Sequence, residues 1–300
     1  MDSIKLGDVE VLRALELEVD WVPWEELLPD LKRPTLEDNE QVLVPKHWHR
    51  PTDRWLASVA TYVLKSAGKT ILIDTGVGNG KERPHYPPFS HLDTSYLSAL
   101  SAVGVTPSDV DVVINTHLHV DHTGWNTWLH GREWVPTFPN ARYYVHGADV
   151  EYWNPLNGHD QVGKLLAQNV FEDSTAPIIN AGLAEVWEGD SLDIDENLQL
   201  VWVGGHTPGS AFVKVESGTD RAMFVGDTVH CPLQVVEPSL NSCFDDDVEG
   251  ARVSRRRVLG RAAETNSLLF AAHFRDGDAA SISQSGDGFK VTGWKAFATP

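Results

Sequence analysis

Three hundred residues, 41% of them hydrophobic, suffice for a large buried core, as one big domain or two fused halves. A formal charge of −19 argues against a broad nucleic-acid-binding face, and no apolar stretch approaches the length of a membrane span. Two cysteines, Cys231 and Cys243, are too few for a disulfide framework and read as buried or inert thiols; the N-terminal MDSIKLGDVEVLRALELEVD lacks the apolar block of a signal peptide, so a cytoplasmic location is expected.

Val9 to Val19 alternates loosely as a strand, and a Trp- and Pro-rich segment runs from Trp21 to Trp48, so residues 1–54 are expected to form a strand plus an extended arm. WLASVATYVLK and KTILIDTG flank Ser66-Ala67-Gly68 and predict a hairpin. The Gly- and Pro-rich stretch from Gly76 to Ser90 is too long for a simple turn and predicts a functional or mobile loop. Leu92 to Val103 predicts a helix ended by Gly104, and DVDVVINT a buried strand. Further on, ARYYVH predicts a strand, and ADVEYW and QVGKLLAQNVF predict two helices. LAEVWE, LQLVWVGG, AFVKVES and RAMFVGD predict short strands, Asp246 to Thr265 a charged helix, SLLFAAH a strand, and SISQSGDGFKVTGW a closing hairpin. No fixed repeat or composition break marks a linker, so residues 1–300 are expected to form a single α/β domain with its active loops at the strand ends.

DVVIN leads directly into His117-Leu-His119-Val-Asp121-His122, three histidines and an aspartate in six residues of a chain holding only 13 histidines. Three later apolar runs also end in a side chain able to bind metal: His206 after LVWVGG, Asp227 after RAMFVG, and His273 after SLLFAA. Taken singly, each would be an ordinary structural residue; together, neutral imidazole and carboxylate are what a borderline metal such as zinc takes. His117, His119, Asp121, His122, His206, Asp227 and His273 number seven, which fits a site for two divalent ions, with zinc the default. Asp74, in ILIDTG, is expected to orient a ligand histidine or fix the turn. Of the many aromatic residues near the motif, most are expected in the core and Trp125 as pocket wall. His85, Tyr86 and Phe89 of the long loop are expected as an apolar lid. Asp245-Asp246-Asp247 is read as a helix start, and Arg252, Arg255, Arg256, Arg257 and Arg261 as a solvated, ion-paired helix face.

HxHxDH, GGHTPG, GDT and AAH, in this order from about Trp55 to the C-terminus, resemble the metallo-β-lactamase superfamily. The resemblance implies an αββα sandwich with two central mixed sheets flanked by helices. It further implies that His117, His119 and His206 bind a first metal and Asp121, His122 and His273 a second, with Asp227 and a hydroxide bridging them. Zinc β-lactamases of the best-known class carry a cysteine where Asp227 stands; nuclease branches carry a large inserted domain; the flavin-linked oxygen reductases carry a flavin domain; glyoxalase II-like enzymes end in a helical region. GDTVHCPLQVVEPSLNSCFDDDVEGARVSRRRVL and FPNARYYVHGADVEYW are more similar to the branch of parathion-type organophosphate hydrolases and related lactonases. Many quorum-quenching lactonases carry a tyrosine three residues after the bridging aspartate; here that position is His230, which suits the parathion hydrolase-like branch and could donate to a developing oxyanion, with Asp121 or Asp227 holding or passing a proton. The expectation is therefore a dinuclear hydrolase of lactones or aryl and alkyl esters, an acyl homoserine lactone or related lactone favoured. An organophosphate triesterase is the alternative, ahead of an iron-dependent sulfur or thiol oxygenase and of a non-catalytic metal-binding module. A small neutral hydrophobic substrate is expected, without nucleic acid or membrane as partner, and the resemblance is compatible with a homodimer.

Overall fold

A computed structural model of the chain describes residues 3–158 and 169–297. Two mixed sheets carry the architecture. The first has eight strands, running in the order Ile4–Leu6, Val9–Pro23, Arg54–Ser66, Lys69–Ile73, Val112–Ile114, Arg142–His146 and Ala184–Trp187, with Trp48–His49 beside Arg54–Ser66. The second has seven, from Ser191–Asp193 through Leu198–Trp202, Ala211–Ser217, Asp220–Phe224, Leu268–Phe270 and Ala279–Ser285 to Gly288–Lys295. A separate two-stranded ribbon, Thr127–His130 with Glu133–Pro136, follows the histidine motif.

The sheets pack face to face. Tyr62, Leu64, Ile71 and Ile73 of the first meet Leu198, Leu200, Val213, Val215, Phe224 and Phe270 of the second in one buried cluster. Alternation sends the neighbouring residues outward, where they are buried again: Val63, Leu72 and Val113 lie under Tyr96 and Leu100 of helix Tyr96–Ala102, and Phe212, Met223 and Leu269 lie under Val258, Leu259 and Ala262 of helix Val248–Thr265. A strand covered on both faces reads as a continuous apolar run, which is why WLASVATYVL shows little alternation. The layers are helix, sheet, sheet, helix, as expected.

The predicted hairpin forms with Ser66 opposite Lys69, and Ala67 and Gly68 both take positive φ (47° and 76°), the two-residue turn that suits twisted strands. Residues 24–43 depart from the expected extended arm. They coil into three short helices, Trp24–Leu27, Arg33–Asp38 and Glu40–Leu43, because Trp24, Leu27, Leu36 and Leu43 recur at helical spacing and bury into one cluster with Trp21, Trp48 and Trp55. The helix expected from QVGKLLAQNVF falls mainly on 161–168, outside the described residues. Among the described residues no helix is long and apolar enough to cross a membrane. Cys231 is buried, whereas Cys243 is exposed.

Candidate metal centre

Strand direction places the site. Leu198–Trp202 and Asp220–Phe224 both pair antiparallel to Ala211–Ser217, and Leu268–Phe270 pairs parallel to Asp220–Phe224, so these three strands end on the same edge. Val112–Ile114 of the other sheet ends there too, and Ala211 N–H donates to Thr116 O (2.8 Å) across the seam. The turns beyond these four ends carry all seven predicted ligands, each at most 5% exposed. Asp227 sits in the tight Gly226–Thr228 turn, where Gly226 takes φ +50° and a Cβ would stand 2.7 Å from Thr116 Oγ1.

The ligand atoms converge in overlapping groups: His117, His119 and His206; His117, His122 and Asp227; Asp121, His122 and His273. His117 Nε2, His119 Nδ1 and His206 Nε2 form a triangle with sides of 3.0, 3.2 and 3.0 Å. Ligands at about 2.05 Å around a tetrahedral zinc stand about 3.3 Å apart, so this triangle fits one ion. In the neighbouring group His273 Nε2 is 3.1 Å from Asp227 Oδ2 and 3.5 Å from Asp121 Oδ2, and His122 Nε2 is 3.4 Å from Asp227 Oδ1. Asp121 Oδ1, His122 Nε2 and Asp227 Oδ1 are buried without any hydrogen-bond partner. Buried polar atoms left bare cost about 1–3 kcal/mol each, more when charged, and a divalent cation satisfies this set.

The electrostatics agree. Burial, then the crowding of neighbouring imidazoles, holds His117 and His119 well below the usual histidine range, the neutral form a metal ligand needs. Burial opposes charge on Asp227 as well, yet His273, His122 and His230 hold its carboxyl well below the usual range. Asp227, Asp121 and Asp74 in turn hold His122 well above its own, against burial. The carboxylates demand positive charge at this spot.

Three further carboxylates brace the ligands. Asp74, at positive φ (55°), accepts from Thr116 N–H (2.7 Å) and Thr116 Oγ1 (2.8 Å) and lies 2.9 Å from His122 Nδ1, the orienting position expected of it. Asp149 joins two ligand loops by accepting from Leu118 N–H (3.0 Å), Thr207 Oγ1 (2.9 Å) and Gly209 N–H (2.5 Å). Asp245 lies 2.9 Å from His206 Nδ1 and 3.0 Å from Arg255, and the pair is wholly buried. The last two are corrections: Asp245 is no exposed helix start, and Arg255 is no part of a solvated face, because that side of the helix packs on the Thr228 and Leu240 carbonyls.

The same organisation has known relatives. The profile of the family described as the metallo-beta-lactamase superfamily matches residues 54–273, well over half of the chain. The chain belongs to the metallo-beta-lactamase superfamily. Curated relatives include N-acyl homoserine lactonase AttM of Azorhizobium caulinodans, 28% identical over 131 residues (41% of this chain, 43% of the relative), and the N-acyl homoserine lactonase of Bacillus thuringiensis, 25% identical over 169 residues (52% and 58%). The chain thus matches these relatives over about half of their length. Among solved structures, the hydrolase AbOPH of the beta lactamase superfamily aligns with TM-score 0.78 at 21% identity, covering 100% of this chain and 98% of that one. AidC, a dizinc quorum-quenching lactonase in complex with a product, aligns with TM-score 0.74 at 19% identity, covering 99% and 97%. At such identities the structural likeness speaks for the superfamily fold.

Beside the superfamily motifs stands an aromatic wall, of which Trp21 comes from outside the matched span and Trp55, Phe89 and Phe244 from within it. The Trp21 ring meets His273 edge-on at 5.0 Å, stacks on Trp55 at 5.1 Å and touches Phe89 at 5.2 Å and Phe244 at 6.2 Å. Of the expected lid residues, Phe89 packs on Trp21 and half-buried Tyr86 on Phe89 (rings 4.9 Å apart), while His85 is on the exposed side of the loop. Trp125 is a correction. Its ring stacks on Tyr96 at 5.1 Å and its indole N–H donates to Glu16 (2.7 Å), so it belongs to the outer core, and Trp21, Trp55 and Phe244 form the wall instead. For Trp21 the signal was the tryptophan-rich N-terminal segment; Phe244 carried none. His230 is 1% exposed, its Nε2 lies 3.3 Å from Asp227 Oδ2, and neither ring nitrogen has a hydrogen-bond partner.

Proposed function

We propose that this chain is a dinuclear metal-dependent hydrolase that opens lactones or cleaves aryl and alkyl esters, with acyl homoserine lactones or related lactones as the favoured class. One observation carries the reading: the groups His117, His119, His206 and Asp121, His122, His273 are linked by a third, His117, His122 and Asp227, beside a wall of Trp21, Trp55, Phe89 and Phe244. The lactonase names of the curated relatives support it. The reading takes residues 1–300 as one domain and a small neutral hydrophobic molecule as substrate.

His117, His119 and His206 would hold one ion, Asp121, His122 and His273 the other, with Asp227 between them. Two divalent ions, zinc by ligand type, supply Lewis acidity toward a carbonyl oxygen and lower the pKa of water from near 16 to about 7. The aromatic wall receives the acyl or aryl portion and excludes water, which strengthens every charge interaction inside. Burial holds His230 below the usual histidine range, so at neutral pH its ring carries a single N–H. That N–H would donate to the oxygen on which charge develops. Asp121, with Oδ1 unpartnered, receives the proton released on attack and returns it to the leaving alkoxide.

The test is hydrolysis by metal-loaded protein of an acyl homoserine lactone, an aryl lactone, a phenyl ester and a neutral phosphotriester, with His119→Ala and Asp227→Asn as controls. Turnover of a lactone or ester, abolished in both variants, is expected. Turnover of the phosphotriester alone would move the assignment to organophosphate triester hydrolysis. Two bound metals with no hydrolysis would sink the reading and make oxygen uptake the next assay.

A further inference from the structure

Arg255 is fully buried, and all of its bonds go to one small region. Its Nε donates to Thr228 O (2.9 Å), its Nη1 to Leu240 O (2.8 Å), Pro238 O (3.1 Å) and Asn241 Oδ1 (3.3 Å), and its Nη2 to Asp245 Oδ2 (3.0 Å). Thr228 follows Asp227 directly. The other carboxylate oxygen of Asp245 meets His206 Nδ1 at 2.9 Å, and Ser242 N–H (3.0 Å) fixes the carboxylate from behind. The backbone completes the lock: Asp246 N–H donates to His206 O and Asp247 N–H to Gly205 O, both at 2.9 Å. One guanidinium thus ties the loop of His206 to the turn of Asp227.

A wholly buried ion pair is poor evidence of stabilisation, since well-packed apolar residues serve as well or better. Its use lies in what it fixes. With Asp245 accepting at Nδ1, the proton of neutral His206 sits on Nδ1 and the lone pair on Nε2. Nε2 is the atom that faces His117 Nε2 at 3.2 Å and His119 Nδ1 at 3.0 Å. Such a partner behind a ligating histidine sets its tautomer and ring angle, and its loss typically costs about 10–100-fold in metal affinity.

We propose that Asp245 and Arg255 are positioning residues for the first metal position: Asp245 sets the His206 tautomer, and Arg255 acts through Asp245 by holding and charge-balancing it. The proposal rests on the metal-centre reading and is independent of which substrate is hydrolysed. Asp245→Asn carries the sharpest consequence. Arg255 offers only donors, so the new amide turns its oxygen toward Arg255 and its NH2 toward His206 Nδ1. His206 must then accept at Nδ1 and carry its proton on Nε2, where the ion would bind.

The experiment is stepwise cobalt and zinc binding to full-length wild type, Asp245→Asn, Arg255→Lys and the double variant, by chelator competition and by the cobalt absorption bands, with circular dichroism as the check on folding. Asp245→Asn should weaken one of the two binding steps about 10–100-fold, alter the cobalt bands of that step and leave the other nearly unchanged. Arg255→Lys should weaken the same step, and the double variant should lose less than the product of the single losses. Unchanged constants in a folded Asp245→Asn protein, equal weakening of both steps, or independent losses in the double variant would overturn the proposal. Should Asp245→Asn fail to fold, nitrogen NMR of zinc-loaded wild type decides: the His206 proton is expected on Nδ1 in a hydrogen bond, and a proton on Nε2 refutes the assignment. Binding of two metals without turnover of any ester would reject the proposed activity and leave this inference standing.

Discussion

Acidification should destabilise this protein through His47 in a way that one substitution removes. His47 is 2% exposed, its ring lies 5.6 Å from Phe274 and 5.9 Å from Trp294, and Nδ1 has no partner. Burial, with the charges of Lys46 and Arg275 outweighing that of Asp276, holds its pKa at about 3. The unfolded chain takes up this proton near pH 6.5 and the folded chain only near 3, so the contribution is complete above about 6.5 and is lost as pH falls toward 3. Each pH unit below 6.5 amounts to about 1.4 kcal/mol, so about 2 kcal/mol is gone at pH 5, or roughly 5 °C in Tm for a chain of this size. The assay is thermal and urea unfolding of wild type and His47→Phe between pH 8 and pH 5. Phenylalanine keeps an aromatic ring between Phe274 and Trp294 and cannot titrate, while every other titrating group is shared. The stability difference between the two proteins should therefore shift by about 2 kcal/mol in favour of the variant on going from pH 7 to pH 5. Parallel pH profiles would show that His47 is solvated or protonated in the folded protein, and the burial argument would fail.

Gly124→Ala places a Cβ 1.8 Å from Val77 O, backbone that cannot step aside, and should cost about 3 kcal/mol in urea unfolding; a near-neutral result would mean that the loop is free to move. Trp21→Ala should raise KM for long-chain or aryl substrates by about 10–100-fold while leaving kcat for a short lactone nearly unchanged, as steady-state kinetics would reveal. Removing metal with a chelator should lower Tm, since an ion at about a thousand times its Kd stabilises the folded form by about 4 kcal/mol; calorimetry with and without added zinc measures this, and identical melts would contradict a metal centre at these residues.

The candidate ligands were legible because each sits within a few residues of a strand end, so local pattern carried them into three dimensions. Of their supports, Asp74 was legible from its own strand end, whereas Asp245 and Arg255 were not. Asp245 belongs to a run of three aspartates before a helix, and the local explanation was right for Asp247, which caps Gly250 N–H at 3.0 Å, but not for its neighbour two residues earlier. Which arginine of an evenly charged helix turns inward depends on what the helix packs against, so Arg252, paired with Glu249, and buried Arg255 look alike in sequence. Trp125 follows the motif along the chain, yet the turn after His122 sends its ring away from the centre, to Tyr96. Trp21 reaches the centre from almost a hundred residues upstream, because strand Val9–Pro23 pairs with Arg54–Ser66 and ends beside the candidate ligand His273. Distance along the chain predicted contact for neither tryptophan.

The seam between the sheets has a consequence for the folded chain. His117 and His119 leave one sheet and His206 the other, so an ion seated on all three fastens two points about 90 residues apart. Because the ion leaves when the chain unfolds, its hold acts on the folded form alone, and those two points separate freely once it is gone. An ion seated there would then also be a fastener between the two halves. A cell short of metal would hold a loosened chain, open to proteases at the seam.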